Sequence, residues 1–201
     1  MIKTILWDIG GVILRTVDRT PREALAKQFD LSYEELAITF FGDDDKLRVQ
    51  RGEITIAQHF NNVANKLKMP TENIPSFREQ FFAGDEIDQK LIAWINSNRG
   101  LFQMAILSNA MLDLRAKLEN TYRISKYFQE IFISAEMGLT KPSPDIFNCV
   151  MNELGRKPEE IIFIDDNLDN IQVAKLLDMY SILFENRTQA LRDIEKKLSE
   201  K

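Results

Sequence analysis

The sequence predicts an α/β fold, in which a doubly wound, mainly parallel sheet carries an inserted, all-helical cap. Short apolar runs alternate with segments of helical periodicity at the start of the chain and again through its second half. The apolar runs cover residues 2–7, 104–107, 130–134, 161–164 and 180–184, and the helical segments cover residues 87–98, 111–119, 144–154, 169–177 and 188–201. This alternation is typical of a parallel sheet, because each crossover helix returns the chain to start a strand in the same direction.

A long stretch that breaks this alternation indicates the cap. Residues 15–88 show helical periodicity, at residues 21–29, 32–41, 55–68 and 77–82, and contain no convincing strand. We therefore predict a core domain of residues 1–14 and 89–201 and a helical cap of residues 15–88. Because the cap leaves the core directly after the first strand, we expect it to cover the strand ends as a lid. Its acidic run, Gly42-Asp43-Asp44-Asp45, is interpreted as a solvated turn or a helix N-terminus.

Composition narrows the class of protein and of partner. The chain of 201 residues is 44% hydrophobic, which is enough to bury a core without disulfide bonds. Its 26 basic and 31 acidic residues give a net charge of -5, which argues against nucleic acid as the partner. The sequence has no apolar run of membrane-spanning length and a single cysteine, Cys149. We therefore expect a cytoplasmic protein without a membrane partner, either a monomer or a weak homodimer.

Polar residues follow three of the predicted strands at the point where each strand ends. Asp8 follows the first strand, Ser108 and Asn109 follow the second, and Asp165 and Asp166 follow the fourth. In open α/β sheets, ligands bind outside the carboxyl ends of the strands. We therefore expect these five residues to converge on one site.

Asp8 is a candidate nucleophile toward phosphorus, because a carboxylate can form an acyl phosphate that water later opens. An anionic nucleophile repels an anionic phosphate, so the site needs a hard cation and fixed donors. Asp8 and Asp166 offer oxygen ligands that suit Mg²⁺, while Lys141, Ser108 and Asn109 offer donors to phosphoryl oxygens. A single cysteine and a single histidine cannot build a zinc site. The expected partner is a small phosphorylated molecule.

Four short motifs fall in order on both sides of the predicted insertion. They are Asp8-Ile9-Gly10-Gly11-Val12, Ile106-Leu107-Ser108-Asn109, Gly138-Leu139-Thr140-Lys141-Pro142 and Ile164-Asp165-Asp166-Asn167-Leu168-Asp169-Asn170. With these motifs the chain resembles the haloacid dehalogenase superfamily of phosphatases, and its overall pattern is similar to that of bacterial glucose-1-phosphate phosphatases. The predicted insertion matches the first cap class of that superfamily. Isolated loop caps have no reason to fall at successive strand ends, so the motifs carry weight together rather than singly.

The resemblance implies a role for each site residue. Asp8 would be the nucleophile and a magnesium ligand, and the backbone carbonyl of Gly10 and the carboxylate of Asp166 would be further ligands. Asp165 would lie outside the metal shell and hold Lys141. Phosphate would be cradled by Ser108, by the backbone around Asn109 and by Lys141.

Gly10 is a departure from the superfamily pattern. Phosphatases of the superfamily usually carry a second aspartate two residues after the nucleophile, where it protonates the departing oxygen. Loss of a positioned general acid typically costs ~10²–10⁴ in rate. We therefore expect a substrate with an acidic leaving oxygen, such as the anomeric oxygen of a sugar 1-phosphate, or else an acid supplied by the cap.

Two other functions stay open at this point. A 2-haloacid dehalogenase would use the same nucleophile on carbon and would need no metal. A former phosphatase that had lost its acid could instead persist as a weakly catalytic protein that binds a phosphorylated metabolite. The presence of both Asp166 and Lys141 favours phosphate hydrolysis.

Other conspicuous residues receive simpler interpretations. The cap residues that set substrate selectivity cannot be ranked from sequence, and the candidates are Asp18, Asp43, Asp44 and Arg51. His59 is interpreted as a packed or surface histidine rather than as an acid. Several aromatic residues are interpreted as packing without a chemical role, namely Trp7, Phe40, Phe41, Phe81 and Phe82.

Overall fold

The computed structural model describes residues 1–42 and 44–200, and its centre is a five-stranded parallel sheet. The described strands are β1 (Thr4–Trp7), β2 (Leu14–Thr16), β3 (Asp85–Ile87), β4 (Gln103–Ser108), β5 (Glu130–Ile133), β6 (Ile161–Asp165) and β7 (Tyr180–Leu183). In the large sheet the order is β5-β4-β1-β6-β7, with every neighbouring pair parallel. The predicted parallel α/β sheet is therefore confirmed, and its first strand lies in the middle.

The helices fall into two groups. Those of the insertion are α1 (Thr20–Gln28), α2 (Tyr33–Phe41), α3 (Asp44–Gln50), α4 (Ile56–Lys66) and α5 (Ile74–Phe82). Those that accompany the sheet are α6 (Gln89–Asn98), α7 (Leu114–Ala116), α8 (Ser134–Met137), α9 (Pro144–Leu154), α10 (Leu168–Leu176) and α11 (Arg187–Ser199). None of the helices in the described ranges combines the length and the apolar character that crossing a bilayer requires.

Helices cover both faces of the sheet, as a doubly wound fold requires. One face carries Trp7 of β1, and it packs against apolar residues of α6, α7 and α11. The opposite face carries Leu6 of β1, and it packs against apolar residues of α9 and α10. The β1 side chains are all buried, which explains why this strand is a continuous apolar run instead of an alternating one.

The strand register brings the ends of three strands to one edge of the sheet. Trp7 at the end of β1 is paired with Ile106 of β4 and with Ile164 of β6. The next residue, Asp8, donates its backbone N–H to the carbonyl of Ile164 at 2.9 Å. Asp8 therefore leaves the sheet between the two strands whose ends carry the other polar residues.

The insertion is built mainly from helices around a cluster of phenylalanines. Phe40, Phe60, Phe77 and Phe81 are buried together, and the rings of Phe40 and Phe81 stack with centroids 4.3 Å apart. The sequence pattern does not predict α3, because its first turn consists of the acidic residues that were interpreted as a turn or a helix start. Asp43 of that acidic run lies outside the described residues.

The two segments that join the insertion to the core form an antiparallel ribbon that the sequence pattern does not reveal. Leu14 of β2 is paired with Ile87 of β3, and Thr16 is paired with Asp85. Each strand has three residues, which is too few for an alternating pattern to stand out from a loop. The division of the chain at residues 15 and 88 falls at this ribbon and stays a proposal.

Asp88 fastens the ribbon to the core. Its carboxylate accepts hydrogen bonds from the backbone N–H groups of Lys90 and Leu91 and so caps α6. It also forms ion pairs with Arg15 of β2 at 2.5 Å and with Arg187 of α11 at 2.6 Å. Burial acts to raise the pKa of Asp88, but the hydrogen bond from Leu91 and the two arginines outweigh it and hold the pKa below its ordinary value.

We expect Asp88→Asn to lower the free energy of unfolding by about 2 kcal/mol at pH 7, because it keeps a capping oxygen but removes two charge-assisted contacts. The pKa of Asp88 is lower in the folded state than in the unfolded state. The advantage of the wild type is therefore complete above about pH 4 and declines as the pH falls through the folded-state pKa. Urea denaturation of both proteins at neutral and acidic pH measures this. A difference that stays undiminished in acid would contradict the ion-pair interpretation.

Candidate active site

A cavity of about 770 Å³ lies between the strand ends and the insertion. Every residue that the sequence analysis selected for the site lines this cavity: Asp8, Gly10, Ser108, Asn109, Lys141, Asp165 and Asp166. Residues of the ribbon and of α1, α2, α3 and α5 close the opposite side. The predicted convergence of strand ends beneath the insertion is therefore seen in the structure.

Lys141 is the centre of the charge arrangement. Its ammonium lies 2.9 Å from Oδ1 of Asp8 and 2.6 Å from Oδ2 of Asp165, and it donates to the backbone carbonyl of Leu107 at 2.9 Å. The Lys141 side chain is only 1% exposed. Burial alone would lower the pKa of Lys141, but the two carboxylates outweigh it and raise the pKa. The ammonium therefore stays charged and holds both aspartates in place.

Asp8 keeps one oxygen available to the cavity. Lys141 holds Oδ1, and none of the described residues donates a hydrogen bond to Oδ2. Burial raises the pKa of Asp8 to about 7; Lys141 opposes this shift, while Asp165 and Asp166 add to it. A carboxylate that is buried, oriented by one oxygen and free at the other is suited to attack an electrophile in the cavity.

Asp165 differs from its neighbours because both of its oxygens are occupied. Oδ1 accepts from the backbone N–H of Asn167 at 2.8 Å, and the side-chain amide of Asn170 donates to both oxygens at 3.0 Å. Together with Lys141 these contacts satisfy a carboxylate with no exposed surface. Asp165 thus orients other groups of the site and has no free oxygen for a ligand.

The loop that carries Lys141 is tied to the end of β4 by Asn109. The side-chain amide of Asn109 donates to the carbonyl of Lys141 at 2.8 Å, and the N–H of Lys141 donates to Oδ1 of Asn109 at 2.9 Å. The backbone carbonyl of Asn109 accepts from Gln50 of α3 at 3.1 Å, which links the insertion to the site. Ser108, the last residue of β4, is nearly buried and lines the cavity.

Three carboxylates lie close together beside the cavity, and two of them, Asp8 and Asp166, keep an oxygen that could bind a cation. Oxygens of Asp8, Asp165 and Asp166 lie within 4.8 Å of one another, and Asp166 is the exposed member. Burial and the charge of Asp165 raise the pKa of Asp166. Gly11, with φ +77°, leaves the space that Asp166 occupies, since a Cβ there would lie 2.0 Å from Oδ2 of Asp166. Carboxylate oxygens in this arrangement fit a hard divalent cation.

Three of the four cap residues that the sequence suggests, Asp18, Asp44 and Arg51, do not line the cavity. Asp18 accepts from the N–H of Thr20, Asp44 lies at a separate surface hollow, and Arg51 lies near Thr140. Asp43 lies outside the described residues. The residues of the insertion and ribbon that do face the cavity are Arg15, Thr16, Arg22, Phe41, Lys46, Gln50, Phe82 and Asp85. The sequence does not identify them, because which of these side chains line the cavity depends on how the insertion packs over the core.

The aromatic residues pack as the sequence indicates. Trp7, Phe40 and Phe81 are core residues, and the His59 ring is buried edge-on against Phe40. Phe41 and Phe82 pack against Phe40 and Phe81 in the insertion, and they also line the cavity. Phe41 is 37% exposed.

Solved structures of known proteins share this fold. A haloacid dehalogenase family enzyme from Bacteroides thetaiotaomicron, solved with magnesium and inorganic phosphate, has a TM-score of 0.76 and 24% identity, over 94% of this chain and 99% of that one. The L-2-haloacid dehalogenase of Xanthobacter autotrophicus has a TM-score of 0.67 and 19% identity, over 90% of this chain and 76% of that one.

Proteins that are similar in sequence point to the same family as the solved structures do. The D-ribitol-5-phosphate phosphatase of Bacteroides thetaiotaomicron is 24% identical over 92% of this chain and 93% of its own length. Mouse bifunctional epoxide hydrolase 2 is 25% identical over 97% of this chain, but the match spans 38% of that longer protein. A family model described as haloacid dehalogenase-like hydrolase matches residues 2–178. The chain therefore belongs to the haloacid dehalogenase-like hydrolases.

Proposed function

We propose that the protein is a magnesium-dependent phosphatase that removes phosphate from a small metabolite through an aspartyl-phosphate on Asp8. The observation that carries the proposal is the state of the Asp8 carboxylate. Lys141 holds Oδ1 at 2.9 Å, while Oδ2 accepts no hydrogen bond from the described residues, and Asp8 lines a cavity that Asp166 also lines. The similarity to a phosphatase and to an enzyme solved with magnesium and phosphate supports this function.

The metal ligands in this proposal are the carboxylates of Asp8 and Asp166 and the backbone carbonyl of Gly10. When bound, Mg²⁺ would offset the negative charge that Asp8 and the phosphate bring together. Asp165 keeps to its contacts with Lys141 and Asn170 and holds the arrangement in place. Ser108, the backbone near Asn109 and the Lys141 ammonium donate hydrogen bonds to the phosphoryl oxygens.

The reaction proceeds in two displacements. Oδ2 of Asp8 attacks phosphorus, the bond from phosphorus to the ester oxygen breaks, and that oxygen leaves with the electron pair and takes up a proton. Water then attacks the phosphorus of the aspartyl-phosphate, the bond from phosphorus to Oδ2 of Asp8 breaks, and the water gives up one proton to the solvent. This step releases inorganic phosphate, restores the carboxylate and balances the proton that the leaving oxygen takes up. Splitting the hydrolysis in this way replaces one difficult step by two easier ones.

Gly10 sets a condition on the leaving group. It has no side chain to protonate the departing oxygen, although a Cβ placed there would meet no atom within 4 Å. The rate then depends on how well the leaving oxygen carries charge, since a missing general acid costs ~10²–10⁴ in rate. Esters of acidic hydroxyls, such as phenols or the anomeric hydroxyl of a sugar, are the substrates that tolerate this absence.

Two alternative functions predict different experimental results. A haloacid dehalogenase, which one solved neighbour is, would release halide from 2-chloropropionate in the presence of a chelator. A binding protein without turnover would bind magnesium and phosphate but hydrolyse nothing. The exposed Asp166 beside Asp8 favours the phosphatase, because a reaction at carbon has no use for a cation between them.

We expect the purified protein to hydrolyse p-nitrophenyl phosphate with Mg²⁺, because this leaving group needs little protonation. Asp8→Asn should lower kcat by at least about 10³-fold, since the amide is not a nucleophile. Asp193→Asn, on α11 away from the cavity, is the matched control and should retain activity. Circular dichroism and urea denaturation check that both variants are folded.

Two results would contradict the proposal. Hydrolysis that survives removal of Mg²⁺ by a chelator would exclude the cation from the reaction. Wild-type activity in a folded Asp8→Asn protein would exclude Asp8 as the nucleophile. Chloride release from 2-chloropropionate without metal would support the dehalogenase instead.

We expect Gly11→Ala to weaken Mg²⁺ binding by at least about tenfold, because the new Cβ takes the space of the Asp166 carboxylate. Gly155→Ala is the matched control, since Gly155 also has a positive φ, +60°, but a Cβ there meets nothing within 4 Å. Titration calorimetry with MgCl₂ measures the affinity of the three proteins. Unchanged affinity in Gly11→Ala would show that Asp166 is not a ligand.

A further inference from the structure

A small second cavity opens beside the candidate active site. We call it the apolar lobe; it has a volume of about 150 Å³ and is lined chiefly by Phe41, Phe82, Met111, Leu114 and Tyr122. Two charged residues at its border, Asp113 and Lys117, form an ion pair with each other at 3.0 Å. The lobe therefore offers a mainly hydrophobic surface to whatever enters it.

The apolar lobe is continuous with the proposed phosphate site. Both cavities are lined by Gly10, Ser108 and Asn109, and Phe41 and Phe82 of the insertion also face both of them. A phosphoryl group between Asp8 and Ser108 would thus place its ester substituent within reach of the lobe.

Polar side chains from the ribbon and α1 that line the main cavity are already bonded within the protein. Arg15 pairs with Asp88, and Arg22 pairs with Asp85 at 3.2 Å. Thr16 donates to the same Asp85 at 2.6 Å. Arg22 and Thr16 would have to give up a hydrogen bond in order to serve a substrate hydroxyl, which makes them poor partners for one. Nε of Arg15 has no hydrogen-bond partner among the described residues, but this atom is buried and so is not open to a substrate.

The same holds for the polar side chains nearer to the metal and phosphate. Gln50 donates to the carbonyl of Asn109, Asn170 donates to Asp165, and Asn167 accepts from the N–H of Asp169. Lys46 has no carboxylate partner within the described part of the chain, and its ammonium is suited to the charge of the phosphate. A polyol that enters this cavity would compete with these internal hydrogen bonds for several of its partners, which costs binding free energy.

We infer that the organic group of the substrate is largely apolar and binds in the lobe formed by Phe41, Phe82, Met111, Leu114 and Tyr122. This inference rests on the proposed phosphatase function and specifies its substrate class. A cavity of about 150 Å³ has room for a molecule of the size of benzene, so the matching substituent is one ring or a chain of about six carbons. An aromatic alcohol would also meet the need for an acidic leaving oxygen that Gly10 imposes.

Binding of alkylphosphonates tests the inference without depending on turnover. These compounds carry the phosphoryl charge but cannot be hydrolysed, so titration calorimetry with Mg²⁺ present isolates the effect of the chain. We expect the affinity to rise about threefold for each added methylene from methyl- to hexylphosphonate, because each methylene leaves water for an apolar surface. The polyol phosphates are compared on the Asp8→Asn protein, which should not hydrolyse them. Hexylphosphonate should bind that protein at least tenfold more tightly than ribitol 5-phosphate or glucose 1-phosphate does.

Substitutions in the lobe make the test specific. Met111→Gln puts a polar group of similar length and shape into the lobe and should lower the hexyl-to-methyl affinity ratio by about tenfold. Met111→Leu keeps the surface apolar and should preserve the ratio. Leu176→Gln is the matched control, since Leu176 on α10 is 83% exposed and lies outside both cavities.

The outcomes separate this inference from the proposed function. Hydrolysis of acetyl phosphate, which has no group for the lobe, reports on the function alone. If acetyl phosphate is hydrolysed but affinity does not increase with chain length, or the polyol phosphates bind more tightly, the inference is overturned and the function stands. If affinity increases with chain length and nothing is hydrolysed, the lobe is real and the phosphatase proposal fails.

Discussion

The rest of the site depends on an excess of negative charge in a buried space. Three carboxylates, those of Asp8, Asp165 and Asp166, lie together with a single ammonium, that of Lys141. If all four groups are ionised, two negative charges remain without a partner. Without a cation, burial raises the pKa of Asp8 to about 7, and the charges of Asp165 and Asp166 add to this shift. A divalent cation would remove the same excess and leave Asp8 ionised as a nucleophile.

The fold produces this arrangement through the order of its strands. Because β1 lies between β4 and β6, Asp8 emerges between Ser108 and Asp165. Successive residues of an extended chain point in opposite directions, so Asp165 faces inward to Lys141 while Asp166 faces the cavity. The insertion then closes the opposite side with aromatic residues, and Gln50 ties it to the β4 end. The core thus supplies the three carboxylates and Lys141, and the insertion and the core together line the apolar lobe.

The core of the site could be predicted from sequence because its residues follow directly on strands. Once an apolar run is recognised as a strand, the residues that follow it, such as Asp8 or Asp165 and Asp166, are placed at the carboxyl end of that strand. The insertion could not be predicted to the same depth. The facing of Phe41 and Phe82 depends on how five helices pack over the core, and the three-residue ribbon strands are too short to show a period. The acidic start of α3 has the composition of a turn as well as that of a helix N-terminus.

The central claim is that a cation between two aspartates lets one of them accept a phosphoryl group. A crystal structure with Mg²⁺ and beryllofluoride, which mimics a phosphoryl group bound to a carboxylate, tests it most directly. We predict beryllofluoride bonded to Oδ2 of Asp8, with Mg²⁺ held by Asp8, Asp166 and the carbonyl of Gly10 while Lys141 keeps its contact with Asp165. A structure in which Asp8 remains paired with Lys141 and neither ligand is bound, at saturating concentrations of both, would contradict it.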